Sequence, residues 1–208
     1  MTTPFITLEG IDGSGKTTQA RMLVDLLKGM GREVLAVREP GGTPISEKIR
    51  SLLLDPANAE MSDTCELLLL EAARAQHVDQ AIRPALAAGK VVVCDRFLDS
   101  STAYQSFADG LDLDTVTRAN ALAVGDCVPG ITLIFDIDVD AAAARMARRG
   151  GKADRMEAKG LEFQRKVADG YRMIAAADPG RVKLIDAAGT PDEVHARVVE
   201  ALAAAGLV

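Results

Sequence analysis

The octapeptide Gly10-Ile11-Asp12-Gly13-Ser14-Gly15-Lys16-Thr17 fits Gly-x4-Gly-Lys-[Ser/Thr] at every fixed position, between an apolar run over 5–8 and a helix-like run over 18–30. The glycines allow a tight turn that converges several backbone N–H groups on one anion at the start of a helix, and the helix dipole adds to the attraction. Lys16 reaches the outer phosphates as a mobile point charge, while the Thr17 hydroxyl is suited to hold a magnesium ion that bridges them. The pattern predicts a bound nucleoside triphosphate. It also requires a strand before the loop and a helix after it.

The rest of the chain repeats that strand-then-helix alternation, the mark of a parallel sheet with helices on its faces. Strands are expected over 5–9, 33–38, 90–95, 131–136 and 181–186. Helices are expected over 16–30, 45–54, 63–88, 112–124, 140–149, 157–177 and 191–205. Asp138 or Asp140 can cap the fifth helix and Gly89 stops the third. The fold class is therefore α/β, a five-stranded parallel sheet flanked by helices. With 208 residues, 48% of them hydrophobic, the chain is long enough for one buried domain and short for two.

A net charge of -6 argues against a sequence-independent grip on nucleic acid, which needs a broad basic surface; a small phosphorylated ligand needs only a local one. Cys65, Cys94 and Cys127 are widely spaced and suggest neither a disulfide framework nor a zinc site. The first residues carry no basic segment followed by an apolar core, and no apolar run approaches the ~18 residues of a membrane helix. A cytoplasmic enzyme is the expectation.

Glu9, Arg38, Asp95 with Arg96, Asp136 and Asp186 all stand at expected strand carboxyl ends, the edge on which open α/β sheets bind ligands. Asp136 and Asp186, taken singly, read as ordinary polar exits from the core. Asp95 and Arg96 follow a fully apolar strand and so fall beside the phosphate loop, where Asp95 can order metal-bound water and Arg96 can bind a phosphate. Arg145, Arg148 and Arg149 share one helix face before Gly150-Gly151, Lys152, Asp154 and Arg155, which reads as a basic lid over about 148–157. His77 and His195 read as helix-surface residues.

Four blocks carry a resemblance. They are Glu9 through Thr18; Arg38-Glu39-Pro40-Gly41-Gly42-Thr43 continuing to Glu47-Lys48-Ile49-Arg50; Arg74-Ala75-Gln76-His77; and Asp95-Arg96-Phe97-Leu98-Asp99-Ser100-Ser101 through Tyr104-Gln105. Together they resemble the bacterial thymidylate kinases, within the P-loop nucleoside monophosphate kinases, over nearly the whole chain. The resemblance implies ATP and dTMP as substrates, Mg2+ as the metal and a homodimer. It implies that Gly10 to Thr18 and Arg145 bind ATP, with Arg145 on the adenine. Arg38 and Arg96 would hold the dTMP phosphate, with Arg50 in the same acceptor site. Asp12 would meet the sugar 3′-hydroxyl, Arg74 the thymine edge, Ser101 and Gln105 the base, and Tyr104 the sugar near C2′. With no basic residue over 11–14, the catalytic cation would come from the lid, as Arg149 or Arg155, beside Lys16 and Arg96. Leu70 stands where the family usually has a ring that stacks on the base, one helical turn before Arg74. A kinase for another nucleoside monophosphate or a deoxynucleoside stays open. A GTPase switch lacks its guanine-reading motif.

Overall fold

The computed structural model describes residues 3–150 and 154–208. Five strands among them form one parallel sheet: β1 Phe5–Glu9, β2 Val34–Arg38, β3 Val91–Asp95, β4 Ile131–Asp136 and β5 Val182–Asp186, in the spatial order β2-β3-β1-β4-β5. β1 is central, and the chain leaves it for β2 and β3 on one side before crossing to β4 and β5 on the other. That reversal beside β1 opens a crevice at the strand carboxyl ends, where the phosphate loop emerges.

Side-chain alternation along β1 divides the core into two layers. Ile6 and Leu8 join Leu23, Val24 and Leu27 of α1 (Lys16–Gly29) and Val194, Val198 and Leu202 of α9 (Pro191–Ala204). Phe5 faces the opposite layer with Val92, Cys94, Phe97, Val78 and Ile82. All five residues of β1 are buried, which explains its continuous apolar run; its one interior polar side chain, Thr7, shares a 2.7 Å hydroxyl hydrogen bond with Thr132, its register partner on β4.

The remaining helices are α2 (Pro44–Leu54), α3 (Asp63–His77), α4 (Arg83–Ala87), α5 (Leu98–Ser101), α6 (Leu113–Val124), α7 (Val139–Arg149) and α8 (Gly160–Ala177). Thr43, Ser62, Asp112, Asp138 and Thr190 cap α2, α3, α6, α7 and α9 through side-chain oxygens, so Asp138 and not Asp140 starts α7. By contrast α1 begins at the left-handed Gly15 with no side-chain cap, which leaves its first N–H groups for a ligand.

Two expected helices are corrected, and one helical stretch is added. The helix expected unbroken over 63–88 is α3, a π-helical turn at Val78–Ile82, and α4. Pro84 has no N–H to continue the ladder, and the wider turn upstream absorbs the defect. The helix expected over 157–177 starts as a 3-10 turn at Glu157–Lys159, then resets at Gly160, which has φ +84°. A helical stretch with no sequence expectation runs from α5 into a π-helical segment, Thr102–Ala108. Its serines, threonine and aromatics are weak helix formers, and packing against α8 and α6 supports it instead.

Candidate active site

The phosphate loop turns into the start of α1 and lines one side of a cavity. Gly13 has φ +81°, and a Cβ there would collide with the Ala142 carbonyl on α7, so the loop and α7 approach closely only because that residue is glycine. Lys16 folds back over the loop, its Nζ donating to Gly10 O at 2.9 Å and Ile11 O at 2.8 Å. Burial, with Arg96 adding to it, pulls the Lys16 ammonium down to about 8. Phosphate oxygens in place of those carbonyls would raise it again. Thr17 Oγ1 donates to Asp95 Oδ2 at 2.7 Å, so the expected metal ligand stands beside the carboxylate expected to order metal-bound water. Ser14, Gly15 and Thr18 line this side, and Arg145, which donates to Ala187 O at 3.1 Å, stands at its edge. The cavity measures about 590 Å³.

A second, deeper cavity of about 140 Å³ is lined by Asp12, Arg50, Leu70, Arg74, Arg96, Ser101, Tyr104 and Gln105 among others. Of the expected acceptor residues, Arg38 alone borders only the phosphate-loop side. It is tied to Glu47 at 3.1 Å and to Pro40 O at 2.9 Å, and Arg50 donates to the same carbonyl. Arg96 is the one non-glycine residue with positive φ, +70°, among those described, a strained position of the kind that collects at functional sites. Its Nη2 meets Asp12 Oδ1 at 2.6 Å and its guanidinium lies over the Tyr104 ring.

Buried acids assigned no individual role from sequence hold this wall in place. Arg74 Nε donates to Glu39 at 2.8 Å, while Nη1 donates to Glu71 at 2.5 Å, Ser101 at 3.1 Å and Asn120 at 2.8 Å. Burial opposes the Arg74 charge, and Glu71 and Glu39 outweigh it, raising its pKa. Glu71 was visible as the i–3 neighbour of Arg74 on a helix; Asn120, on α6, had no sequence signal. Glu9 Oε1 accepts Phe97 N at 2.6 Å, and its Oε2 accepts Ser100 Oγ at 2.6 Å and Tyr171 Oη at 2.8 Å. Burial, reinforced by Asp99, pushes Glu9 up to about 7. Tyr171 arrives from α8, far along the chain.

Two site expectations change. His77 is fully buried, not at the helix surface, because it packs into the turn that carries Glu39. Its Nδ1 lies 3.1 Å from Glu39 Oε1, and Gly42 has no Cβ where one would stand 2.5 Å from Nε2. His195 is half-buried against Gln19, 3.0 Å away. Arg155 lines the deeper cavity and not the phosphate loop. It donates to Leu53 O at 2.7 Å and Glu66 Oε2 at 2.5 Å, because a buried guanidinium needs a carboxylate partner. Arg149 ends α7; its side chain, and Gly151 and Lys152 of the expected lid, lie outside the described residues.

Thymidylate kinase is the family whose profile matches, over residues 8–198. The chain is 49% identical over 199 residues to a thymidylate kinase of Syntrophotalea carbinolica, covering 93% of this chain and 92% of that one. It is 48% identical over 197 residues to one from Pelotomaculum thermopropionicum, covering 95% and 91%. The crystal structure of thymidylate kinase from Ehrlichia chaffeensis matches with a TM-score of 0.77 at 37% identity, over 96% of this chain and 97% of that one. With a phosphate loop, a second cavity beside it and relatives matched over nearly the full length, the chain belongs to the thymidylate kinase family of nucleoside monophosphate kinases.

Proposed function

We propose that the protein transfers the γ-phosphoryl group of ATP to dTMP, giving ADP and dTDP for dTTP synthesis. The observation that carries this reading is that the two cavities meet. Asp12, Glu39, Arg50, Arg96 and Asp154 line both, so a donor on the phosphate loop and an acceptor in the deeper cavity face each other across Arg96.

The chain's work is positional and electrostatic, because the transferred phosphoryl needs little covalent help. The uncapped N–H groups of α1 and Lys16 hold the outer phosphates of ATP, and Arg145 covers the adenine. Arg38, Arg50 and Arg96 hold the acceptor phosphate. Arg74, Ser101 and Gln105 contact the base, Asp12 and Tyr104 the sugar, and Leu70 covers the base by apolar contact. Arg149 supplies charge from the lid during transfer. The hard oxygen pair Thr17 and Asp95 fits Mg2+, with Asp95 acting through water; when bound, the ion neutralises charge between the phosphates.

The cytoplasm suits three unpaired cysteines, and no described helix is long and apolar enough to cross a membrane. Homodimerisation is part of the proposal. Leu68 on α3 and Leu122 on α6 are 60% and 89% exposed, on helices that pack together, and an interface there would cover both.

The test is an ADP-release assay with ATP and magnesium against dTMP, dUMP, dCMP, dGMP, AMP and deoxythymidine. Preferential turnover of dTMP is expected. Preference for any other acceptor would overturn the reading.

A further inference from the structure

Glu66 lies outside every motif used above, yet it is 1% exposed on α3 and three groups converge on it. Arg155 Nη2 donates to Oε2 at 2.5 Å, Lys159 Nζ lies 3.4 Å from Oε1, and Gln105 Nε2 donates to Oε1 at 2.7 Å. Glu66, Gln105 and Arg74 all border the acceptor cavity. A carboxylate flanked by two cations accepts hydrogen bonds and donates none, so Gln105 must turn its NH2 end toward Glu66. The amide carbonyl Oε1, to which no described residue donates, is then the end left for a ligand. A side-chain amide has two ends of opposite polarity. Glu66 selects between them.

We propose that Glu66 is a specificity-determining positioning residue: by fixing the Gln105 amide it sets a hydrogen-bond acceptor in the cavity that Arg74 also borders, where Arg74 keeps one Nη2–H beyond those given to Glu39, Glu71, Ser101, Asn120 and Phe97 O. That pair matches a pyrimidine with N3–H and a 4-carbonyl, as in thymine and uracil. It mismatches cytosine, whose N3 is an acceptor and whose C4 carries an amine. The inference rests on reading the deeper cavity as the dTMP site.

Glu66→Gln tests it, because the substitution changes polarity and not size. Arg155 still needs an oxygen, so the new amide places its carbonyl there and its NH2 toward Gln105. Gln105 must then offer its own carbonyl to residue 66 and its NH2 to the cavity, which inverts the preference. The measurement is kcat/KM for dTMP and for 5-methyl-dCMP, with melting temperature alongside. Wild type is expected to favour dTMP, and in Glu66→Gln the ratio should fall about tenfold or more, the scale of one mismatched buried hydrogen bond. Arg155→Leu, which breaks the same ion pair but leaves Gln105 on Glu66, should slow both substrates and keep the ratio.

If Glu66→Gln does not fold, Gln105→Met should lower the ratio to a similar extent by losing the carbonyl. A folded Glu66→Gln with an unchanged ratio would overturn the proposal and leave Glu66 as an anchor for Arg155. An equal fall in Arg155→Leu would overturn it too. A wild type that turns over neither nucleotide would instead sink the assignment of function on which the proposal depends.

Discussion

Arg96 Nη2 and Asp12 Oδ1 meet at 2.6 Å, so the end of β3 is fastened to the interior of the phosphate loop through the one guanidinium held at φ +70°. Burial opposes the Arg96 charge, and Tyr104, Asp12 and Tyr171 outweigh it, keeping the group protonated. Arg96 therefore stays a cation in the place where the two cavities join. Arg96→Lys keeps the charge and the backbone strain but loses the planar fork that grips a phosphate. It should lower kcat/KM for dTMP by about 100-fold, the scale of one lost charge-stabilising donor, with a melting temperature close to wild type. Steady-state kinetics beside thermal melting check both halves.

Arg155 and Arg149 should behave differently. Arg155 is pinned in the acceptor wall by Glu66 and Leu53 O, so Arg155→Leu should raise the KM for dTMP more than it lowers kcat. Arg149→Ala should mainly lower kcat, as expected for a group that acts in the transition state. A kcat loss in Arg155→Leu with KM unchanged would return that residue to the migrating phosphoryl.

Leu70 lines the deeper cavity, at the position where the resemblance leads one to expect a stacking ring. Leu70→Phe should tighten dTMP by about 0.5–1.5 kcal/mol, the increment of an aromatic pair beyond its area. Leu70→Ala should weaken binding. Calorimetry with dTMP on both variants measures this, and a loss of stability with unchanged affinity would remove Leu70 from the base.

Glu9 links acidity to stability. Its ordinary value is 4.5 and burial raises it to about 7, so between those limits the folded chain holds a proton that the unfolded chain has released. Its contribution is fully present below 4.5 and is lost as pH rises through 7. Glu9→Gln cannot titrate. The melting temperature of Glu9→Gln minus that of wild type should therefore rise from pH 5 to about pH 7.5, and a flat difference would show that Glu9 titrates normally.

The sheet was legible because its three inner strands, β1, β3 and β4, are buried on both faces and read as apolar runs, and the phosphate loop because its geometry demands particular residues at fixed spacing. The segment carrying Ser101, Tyr104 and Gln105 was legible as site but not as helix, since packing on α8 and α6 overrides its weak local propensity. Glu66 and Tyr171 were not legible at all. Their partners lie 39 to 93 and 71 to 162 residues away in sequence, and no local pattern encodes such distances. His77 misled because a histidine beside polar neighbours on a helix reads as surface, whereas a glycine turn from another part of the chain covers it.

The central claim is that one phosphoryl group passes between two nucleotides held in adjoining cavities. Incubation with ATP, magnesium and dTMP, followed by chromatography of every nucleotide and assay of inorganic phosphate, tests it most directly. Equal amounts of dTDP and ADP should form, with little ADP when dTMP is omitted, and Lys16→Ala should slow both products by about 100-fold or more. ADP released together with inorganic phosphate at the same rate with or without dTMP would contradict the account.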